Sequence, residues 1–189
     1  TARKGNYLRF ADLNEMKSEA KDVLRFWMTE GPDASQELRA KPLFLMGHSL
    51  GGLLTLHWRS SELPQEDFPF VPKKVLVSSP PLALQLKVPM WKEGLAKFLH
   101  TTIPDLKLGN EISPEDLSRD QVKVFDYLKD PWRASKASPR LYISMKEAMA
   151  GIRKNYRNIE EPLMILSGSE DPIIDHVELK SFYENLNTH

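Results

Sequence analysis

A serine at position 49 stands between two glycines in the stretch FLMGHSLGG, residues 44–52. An apolar run precedes this serine, and a helical pattern from Leu53 to Ser60 follows it. The order of strand, Gly-x-Ser-x-Gly and helix is typical of a nucleophile elbow, in which a tight turn lifts a serine hydroxyl above the edge of a sheet. The pattern predicts that Ser49 is a nucleophile. The alternative is a glycine-rich turn whose serine takes no part in chemistry.

The residues around Ser49 fit the demands of such a turn. We expect glycine at positions 47 and 51 because side chains there would collide with the strained turn. The N-terminus of the following helix favours negative charge, so an oxyanion that forms beside Ser49 would be stabilised there. The backbone amide of Leu50 is the predicted oxyanion donor.

A serine hydroxyl is a weak nucleophile and needs a histidine base that is oriented by a carboxylate. Asp171 is the candidate carboxylate, because it lies on the turn that follows the apolar run 163–166. An acid at the carboxyl end of a strand can reach the same crevice as Ser49. Glu170 and Asp175 are competitors, and Asp175 has the position of a helix N-cap. Asp171 also has a plainer interpretation, as a turn aspartate that bonds only to its own loop.

The base is harder to assign than the acid. None of the histidines lies convincingly at a strand end after Asp171. A surface or packing role is the better interpretation for each of them. The five are His48, His57, His100, His176 and His189. The triad is therefore incomplete within these residues.

The elements that must position these residues follow from the apolar pattern. Three short apolar runs are predicted to be buried strands: Leu43 to Met46, Lys74 to Ser78 and Leu163 to Leu166. Residues 12–28 predict a surface helix, because apolar residues recur at helical spacing: Leu13, Met16, Ala20, Val23, Leu24 and Trp27. Strands that alternate with helices predict a parallel sheet with helices on both faces, so the fold class is α/β.

Composition narrows the classes of function. The 189 residues carry 26 basic and 26 acidic side chains, so the charge indicates neither a nucleic-acid partner nor binding to an anionic membrane surface. No cysteine is present, which excludes disulfides and thiol catalysis, and no ligand cluster indicates a metal or an organic cofactor. No transmembrane run or signal-peptide core is visible, so the cytoplasm is favoured, while the compartment and the oligomeric state stay open.

Several separate stretches resemble one family. They are GNYLRFADL, FLMGHSLGG, VLVSSPPLAL, DPWRASKASPRL and PLMILSGSEDPIID. Together they resemble the monoglyceride lipase and lysophospholipase-like branch of the α/β-hydrolases, a branch also labelled with serine aminopeptidases. The resemblance covers nearly every residue of the chain.

The resemblance implies an α/β-hydrolase fold in which Ser49 is the nucleophile, Asp171 the triad acid and Leu50 one oxyanion donor. Members of the family have further strands on both sides of the matched region. The second oxyanion donor lies in the earlier part and the catalytic histidine in the later part. We therefore expect one partial α/β-hydrolase domain over residues 1–189, incomplete at both ends.

Residues 80–160 are expected to form a cap insertion that selects the substrate. Its apolar residues suit an acyl chain, although most are expected to pack the cap against the domain: Leu82, Leu84, Leu86, Val88, Met90, Trp91, Leu95, Phe98 and Leu99. The expected function is a serine hydrolase of carboxylic esters, with monoacylglycerol or lysophospholipid as substrate and a weak peripheral contact with lipid surfaces. A peptidase or small-ester hydrolase, and an inactive binding domain, are the alternatives.

Overall fold

A computed structural model of the chain describes residues 12–32, 34–61, 71–85, 89–109, 112–131, 133 and 135–186. The helices in these residues are α1 (Leu13–Thr29), α2 (Gln36–Ala40), α3 (Leu50–Ser60), α4 (Met90–Thr102), α5 (Gln121–Lys129), α6 (Pro139–Asn155) and α7 (His176–Leu186). The strands are β1 (Phe44–His48), β2 (Lys74–Ser78), β3 (Leu108–Gly109), β4 (Lys136–Ala137) and β5 (Leu163–Leu166). Short 3-10 helices cover Pro114–Asp116 and Tyr156–Asn158.

Strands β1, β2 and β5 form a parallel sheet in the order β1-β2-β5. The last residues of the three strands are in register, because His48 pairs with Ser78 and Ser78 pairs with Leu166. The carboxyl ends of all three strands therefore meet at one edge of the sheet. The three predicted strands are confirmed, although β1 is shifted toward its C-terminus and ends at His48.

One face of the sheet packs against helices and forms the core. Val75 and Val77 of β2 point to this face and are 1% and 0% exposed. Helix α3 contributes Leu53 and Leu56, and α6 contributes Ile152, all buried in the same cluster. Burial of each such side chain stabilises the fold by roughly 1.5–3 kcal/mol. The core therefore anchors α3, and with it the turn that carries Ser49.

The opposite face of the sheet is open among the described residues. Strand alternation places Phe44, Met46, Met164 and Leu166 on this face, and their exposed fractions are 58%, 72%, 55% and 46%. Helices flank the sheet as predicted, but the described helices cover one of its faces rather than both. A contiguous apolar surface of this kind is typical of an interaction surface.

The predicted surface helix is confirmed as α1, although its apolar face is only partly buried. Asp12 caps the helix by accepting hydrogen bonds from the backbone amides of its first turn. Leu13 is buried, and its backbone N–H donates to the Ser144 hydroxyl of α6 at 3.0 Å. Val23 and Trp27 were expected on the buried face, but they are 68% and 43% exposed. Met28, in the last turn of α1, is 3% exposed, so the helix buries a side chain near each of its ends while Val23 and Trp27 stay exposed.

The segment between β2 and β5 contains α4, the antiparallel pair of β3 and β4, α5 and α6. Helix α6 belongs to the core layer through Leu141, Met149 and Ile152. The boundaries of a cap insertion over residues 80–160, and the single partial domain over residues 1–189, remain predictions.

A buried ion pair joins α3 to the residues just before β5. The side chains of Arg59 and Glu161 are 2% and 6% exposed, and a guanidinium nitrogen of Arg59 bonds to Oε1 of Glu161. Arg59 Nε and Glu161 Oε2 are buried without another partner among the described residues. The Arg59 Nε–H is a donor and Glu161 Oε2 is an acceptor, so the two atoms left without a partner belong to the two members of the same ion pair.

Candidate active site

The turn between β1 and α3 depends on a steric requirement at Gly47. A Cβ atom at this position would lie 2.3 Å from the Gly51 carbonyl oxygen and 2.6 Å from the Thr55 hydroxyl, so the expectation for Gly47 is confirmed. A Cβ atom at Gly51 would meet no described atom within 4 Å, so the collision predicted there is wrong. Within this turn Gly52 is instead the second crowded glycine, because a Cβ atom there would lie 3.1 Å from Pro80 Cβ.

Ser49 has a backbone conformation that residues with a side chain rarely adopt. Its φ is 50° and its ψ is −122°, which costs about 1–3 kcal/mol for a non-glycine residue. Backbone hydrogen bonds hold it on both sides. Its N–H donates to the Ser78 carbonyl at 2.8 Å, and its carbonyl accepts from the Leu53 N–H at 3.1 Å. The residue is exposed at the carboxyl edge of the sheet.

The first turn of α3 presents backbone donors beside Ser49. Leu50 is the first residue of this helix, and N–H groups of a first turn have no partner within the helix. Ser49 is the N-cap residue, yet its side chain makes no capping hydrogen bond. The Ser49 hydroxyl is therefore available for a contact above the sheet edge, next to the positive end of the helix dipole.

Asp171 lies on the turn after β5 and is half-buried. Its Oδ1 accepts hydrogen bonds from the backbone amides of Ile173 at 2.9 Å and Ile174 at 3.0 Å. This is the local loop bonding considered as the plainer interpretation. Both bonds use one oxygen, and no described residue donates to Oδ2. The turn thus fixes the carboxylate and leaves one oxygen for another donor.

The two competing acids have other partners. Asp175 Oδ1 accepts from the backbone amides of Val177 and Glu178 at 3.0 and 3.1 Å, so it caps α7 as predicted. Asp175 is therefore bonded in the same way as Asp171, through one oxygen to two backbone amides, but its amides belong to the first turn of α7. Glu170 is exposed and forms an ion pair with Arg119.

Ser49 and Asp171 follow the two outer strands of the sheet, with β2 between them. The Ser79 N–H donates to the Leu166 carbonyl at 2.8 Å, which continues the strand pairing past the end of β2. Neighbouring strands are about 4.8 Å apart, so β1 and β5 are separated by roughly 10 Å. An imidazole ring that bonds to a serine on one side and a carboxylate on the other bridges a gap of this kind.

His57 is held away from this edge. Its Nε2 lies 3.0 Å from Asn14 Oδ1 on α1. Burial, with a smaller effect from the nearby Lys17 ammonium, lowers the pKa of His57 to about 4. It follows Ser49 by about two helical turns, a rise of roughly 12 Å. His57 is therefore a packing histidine between α1 and α3.

The remaining histidines are scattered. His48 ends β1 and is exposed, and strand alternation places it on the open face with Met46. The Nδ1 atoms of His100 and His176 are buried without a hydrogen-bond partner among the described residues. His189 lies outside the described residues. No hydrogen bond joins a described histidine to the side chain of Asp171 or Ser49.

An open cleft of about 500 Å³ adjoins the turn that carries Asp171. Its lining includes Arg119 and Glu170, whose ion pair connects the segment after the 3-10 helix Pro114–Asp116 to the turn after β5. Sequence reasoning did not single out Arg119. The two partners are 51 residues apart, and no motif links them.

Comparison with known proteins assigns the family. The model of the family described as Serine aminopeptidase, S33, matches residues 5–189. The chain belongs to this family. This match confirms the predicted family resemblance. The predicted α/β-hydrolase fold is confirmed by solved structures that resemble this chain.

Two monoacylglycerol lipase structures resemble this member of the serine aminopeptidase family. The lipase from Paleococcus ferrophilus has a TM-score of 0.76 at 28% identity, and the match covers 94% of this chain and 62% of that one. A soluble variant of monoglyceride lipase from Saccharomyces cerevisiae, in complex with a substrate analog, has a TM-score of 0.70 at 19% identity. That match covers 99% of this chain and 61% of the yeast protein, and it shows the fold alone.

A curated relative is also similar in sequence. Phospholipase YtpA of Bacillus subtilis is 26% identical over 149 residues, which are 78% of this chain and 56% of YtpA. The chain thus spans less than two thirds of the length of each of these three relatives.

The described residues show neither a membrane-spanning helix nor a cluster of metal ligands. None of their helices combines the length and the apolar character needed to cross a bilayer. No group of three or more potential metal ligands comes together among the residues that the structure describes.

Proposed function

We propose that this chain carries the nucleophile and the acid of a serine hydrolase that cleaves carboxylic esters of single-chain lipids. The observation that carries the proposal is the backbone of Ser49. A non-glycine residue with a φ of 50° is held between a strand and a helix, at the edge where the three strands end. Strain of this kind persists where the surroundings enforce it and is concentrated at functional sites.

The proposed reaction is two acyl transfers. Ser49 Oγ attacks the ester carbonyl while a histidine removes its proton, and the Leu50 N–H donates to the oxyanion. The tetrahedral intermediate expels the alcohol, which takes the proton from the histidine. Water then attacks the acyl-enzyme and releases the fatty acid, and Ser49 regains its proton. The unused Oδ2 of Asp171 would accept the other N–H of the histidine and orient its ring.

We propose that the histidine and a second oxyanion donor come from polypeptide outside these 189 residues. Three observations support this. The described histidines make no hydrogen bond to the side chain of Asp171 or Ser49, one face of the sheet is open among the described residues, and the relatives are longer than this chain. Additional polypeptide packed on the open face would cover Phe44 and Met46 and would bring its own side chains to the carboxyl edge.

The relatives support a lipid substrate for the whole protein. The lipase from Paleococcus ferrophilus is a monoacylglycerol lipase and YtpA is a phospholipase, so a monoacylglycerol or a lysophospholipid is the proposed substrate. The description of the family as serine aminopeptidases favours a peptidase as the second candidate. The same nucleophile and acid serve either reaction, so the substrate pocket separates the two.

Labelling with a fluorophosphonate probe tests the nucleophile. The 189-residue chain and a version extended at both ends are compared, each with Ser49→Ala. Ser79→Ala is the matched control, because Ser79 lies at the same edge and also has a positive φ, of 44°. We expect labelling of the extended form, its loss in Ser49→Ala and its retention in Ser79→Ala.

Other outcomes have definite meanings. Labelling of the short chain would show that one of its own histidines serves as the base. An extended form that folds but never labels would replace the hydrolase proposal with a binding domain. For the substrate, hydrolysis of a monoacylglycerol, a lysophosphatidylcholine and an amino-acid amide by the extended form is compared, and preference for the amide would favour the peptidase.

A further inference from the structure

The turn after β5 is fixed at its C-terminal end by the segment directly after β2. We call residues 167–174 the acid turn. Leu84 and Ile174 form an antiparallel bridge, and the Gln85 N–H donates to the Ile173 carbonyl at 2.9 Å. Ile174 is 4% exposed. The end of the acid turn is therefore anchored in the core, together with the two backbone amides that bond to the candidate acid.

The first half of the acid turn is held by a single side-chain contact. Among the described residues, the ion pair of Glu170 with Arg119 is the only side-chain hydrogen bond or ion pair that residues 168–170 make. Residues 168–170 line the open cleft of about 500 Å³, and residues 115–119 line it as well. The ion pair thus joins the two walls of the cleft, at the residue directly before Asp171.

Helix α4, in the same segment as Arg119, is oriented with its apolar stripe outward. The stripe consists of side chains that are 89%, 66%, 46% and 62% exposed, which are Met90, Trp91, Leu95 and Phe98. They were expected to pack the cap against the domain, and that expectation is wrong. On the other side of α4, Glu93 Oε1 accepts a hydrogen bond from Lys146 Nζ of α6 at 2.9 Å. The apolar stripe therefore does not hold this segment against the acid turn, and the polar contact of Arg119 does.

We propose that Arg119 is a positioning residue for Asp171 and acts through its ion pair with Glu170. The inference rests on the proposed function, in which Asp171 Oδ2 orients a histidine. The backbone amides bind Oδ1, so the direction of Oδ2 depends on how the preceding residues of the turn are held. A misplacement of 1 Å can lower the rate of an enzyme by about 10²-fold. The two side chains of the pair are 81% and 72% exposed, so their pairing contributes little to the free energy of unfolding and acts on the rate instead.

Hydrolysis of a monoacylglycerol by the form extended at both ends tests the inference. We expect Arg119→Gln to lower kcat about three- to fivefold and to change KM less than about twofold, because the ion pair orients the acid and does not bind the substrate. Glu170→Gln should lower kcat to the same degree, and the double variant should be no slower than either single variant. This lack of additivity is expected if Arg119 acts through Glu170.

Two further variants separate positioning from a general effect of charge. Arg119→Lys keeps a cation opposite Glu170 and should recover a large part of kcat. Lys146→Gln is the matched control, because it removes the ion pair with Glu93, which joins α4 to α6 in the same segment. We expect Lys146→Gln to keep the kcat of the parent.

Salt supplies a readout that a purely structural role of Arg119 would not move. Raising NaCl from about 0.05 M to about 0.5 M shortens the range over which exposed charges interact. We expect this change to lower the kcat of the parent toward that of Arg119→Gln and to leave the kcat of the variant nearly unchanged.

Hydrogen exchange, measured by NMR on the 189-residue chain, gives a readout besides activity. The Ile173 and Ile174 amides donate to Asp171 Oδ1, so their exchange reports on how firmly the carboxylate is held. We expect both amides to exchange faster in Arg119→Gln and at the parent rate in Lys146→Gln. Circular dichroism checks that each variant is folded. Parent-like exchange of both amides in Arg119→Gln would overturn the inference, whatever substrate the enzyme takes.

Failure of the inference is distinguishable from failure of the proposed function. If Ser49→Ala of the extended form still hydrolyses the ester, the proposed function is wrong. If Ser49→Ala is inactive but Arg119→Gln keeps the parent kcat, the inference alone is wrong. A raised KM at unchanged kcat would also overturn it, since Arg119 would then bind the substrate. Effects of Arg119→Gln and Glu170→Gln that add in the double variant would overturn it as well, since the two residues would then act independently.

Discussion

Substitution of alanine at Gly47 and at Gly51 should change stability in opposite directions. At Gly47 the new methyl group would lie 2.3 Å from a backbone carbonyl oxygen in the first turn of α3. A side chain can rotate away from such a contact, but this carbonyl moves only if the helix start moves. Overpacking of this kind costs about 3 kcal/mol, at the upper end of the usual range.

At Gly51 the new methyl group would meet no described atom within 4 Å. The residue lies in the first turn of α3, where alanine is favoured over glycine by about 0.5–1 kcal/mol. For a domain of this size each kcal/mol shifts the melting temperature by about 2–4 °C. We therefore expect Gly47→Ala to melt roughly 6–12 °C lower than the parent chain, and Gly51→Ala to melt about 1–4 °C higher.

The assay is thermal unfolding followed by circular dichroism, with urea unfolding as a check on the free-energy difference. The reasoning fails if Gly47→Ala melts within about 2 °C of the parent, since that shift corresponds to less than 1 kcal/mol. It also fails if Gly51→Ala is destabilised as strongly as Gly47→Ala. In that case the motif glycines would be equivalent, as the sequence pattern alone predicts.

Three further predictions concern the packing that supports the site. The lowered pKa of His57 means that the folded state disfavours its charged form, so stability is full above pH 6.5 and falls as the pH drops from 6.5 toward 4. The free energy of unfolding falls by about 1–2 kcal/mol, after allowance for solvent screening of a partly exposed ring. In His57→Gln, the free energy of unfolding measured with urea should change less between pH 6.5 and pH 4. Removing one member of the buried ion pair, in Arg59→Met or Glu161→Leu, should cost about 3–5 kcal/mol, whereas the double variant should recover much of this loss in a double-mutant cycle. Asp12→Ala removes the N-cap of α1 and should lower the free energy of unfolding by about 1 kcal/mol, with a control at the exposed Asp22 giving a change near zero.

Local sequence patterns predicted the strands and the position of the elbow well. The run Lys74 to Ser78 became β2 with the same bounds, because a short apolar run between turn residues has few alternatives in a parallel sheet. The requirement for Gly47 was also visible, since a strand that turns directly into a helix brings two backbones close together. The loop bonding and N-capping roles of Asp171 and Asp175 were both anticipated as well.

Which face of an element is buried was not visible in the same patterns. Helical spacing identifies the apolar sides of α1 and α4, yet Val23 and Phe98 are exposed because burial depends on what lies opposite them. The outward direction of α4 follows from the contact of Glu93 with Lys146, which are 53 residues apart in sequence. No local pattern encodes such a pairing.

The sequence by itself determined the elements, the strained serine between strand and helix, and the family of this chain. These properties depend on neighbouring residues and on steric rules that act over a few positions. Only the tertiary structure decided that Gly47 rather than Gly51 is crowded, that Asp171 keeps one oxygen unused, and that an apolar stripe on α4 faces outward. Each of these depends on distances between residues that the chain brings together only when it folds.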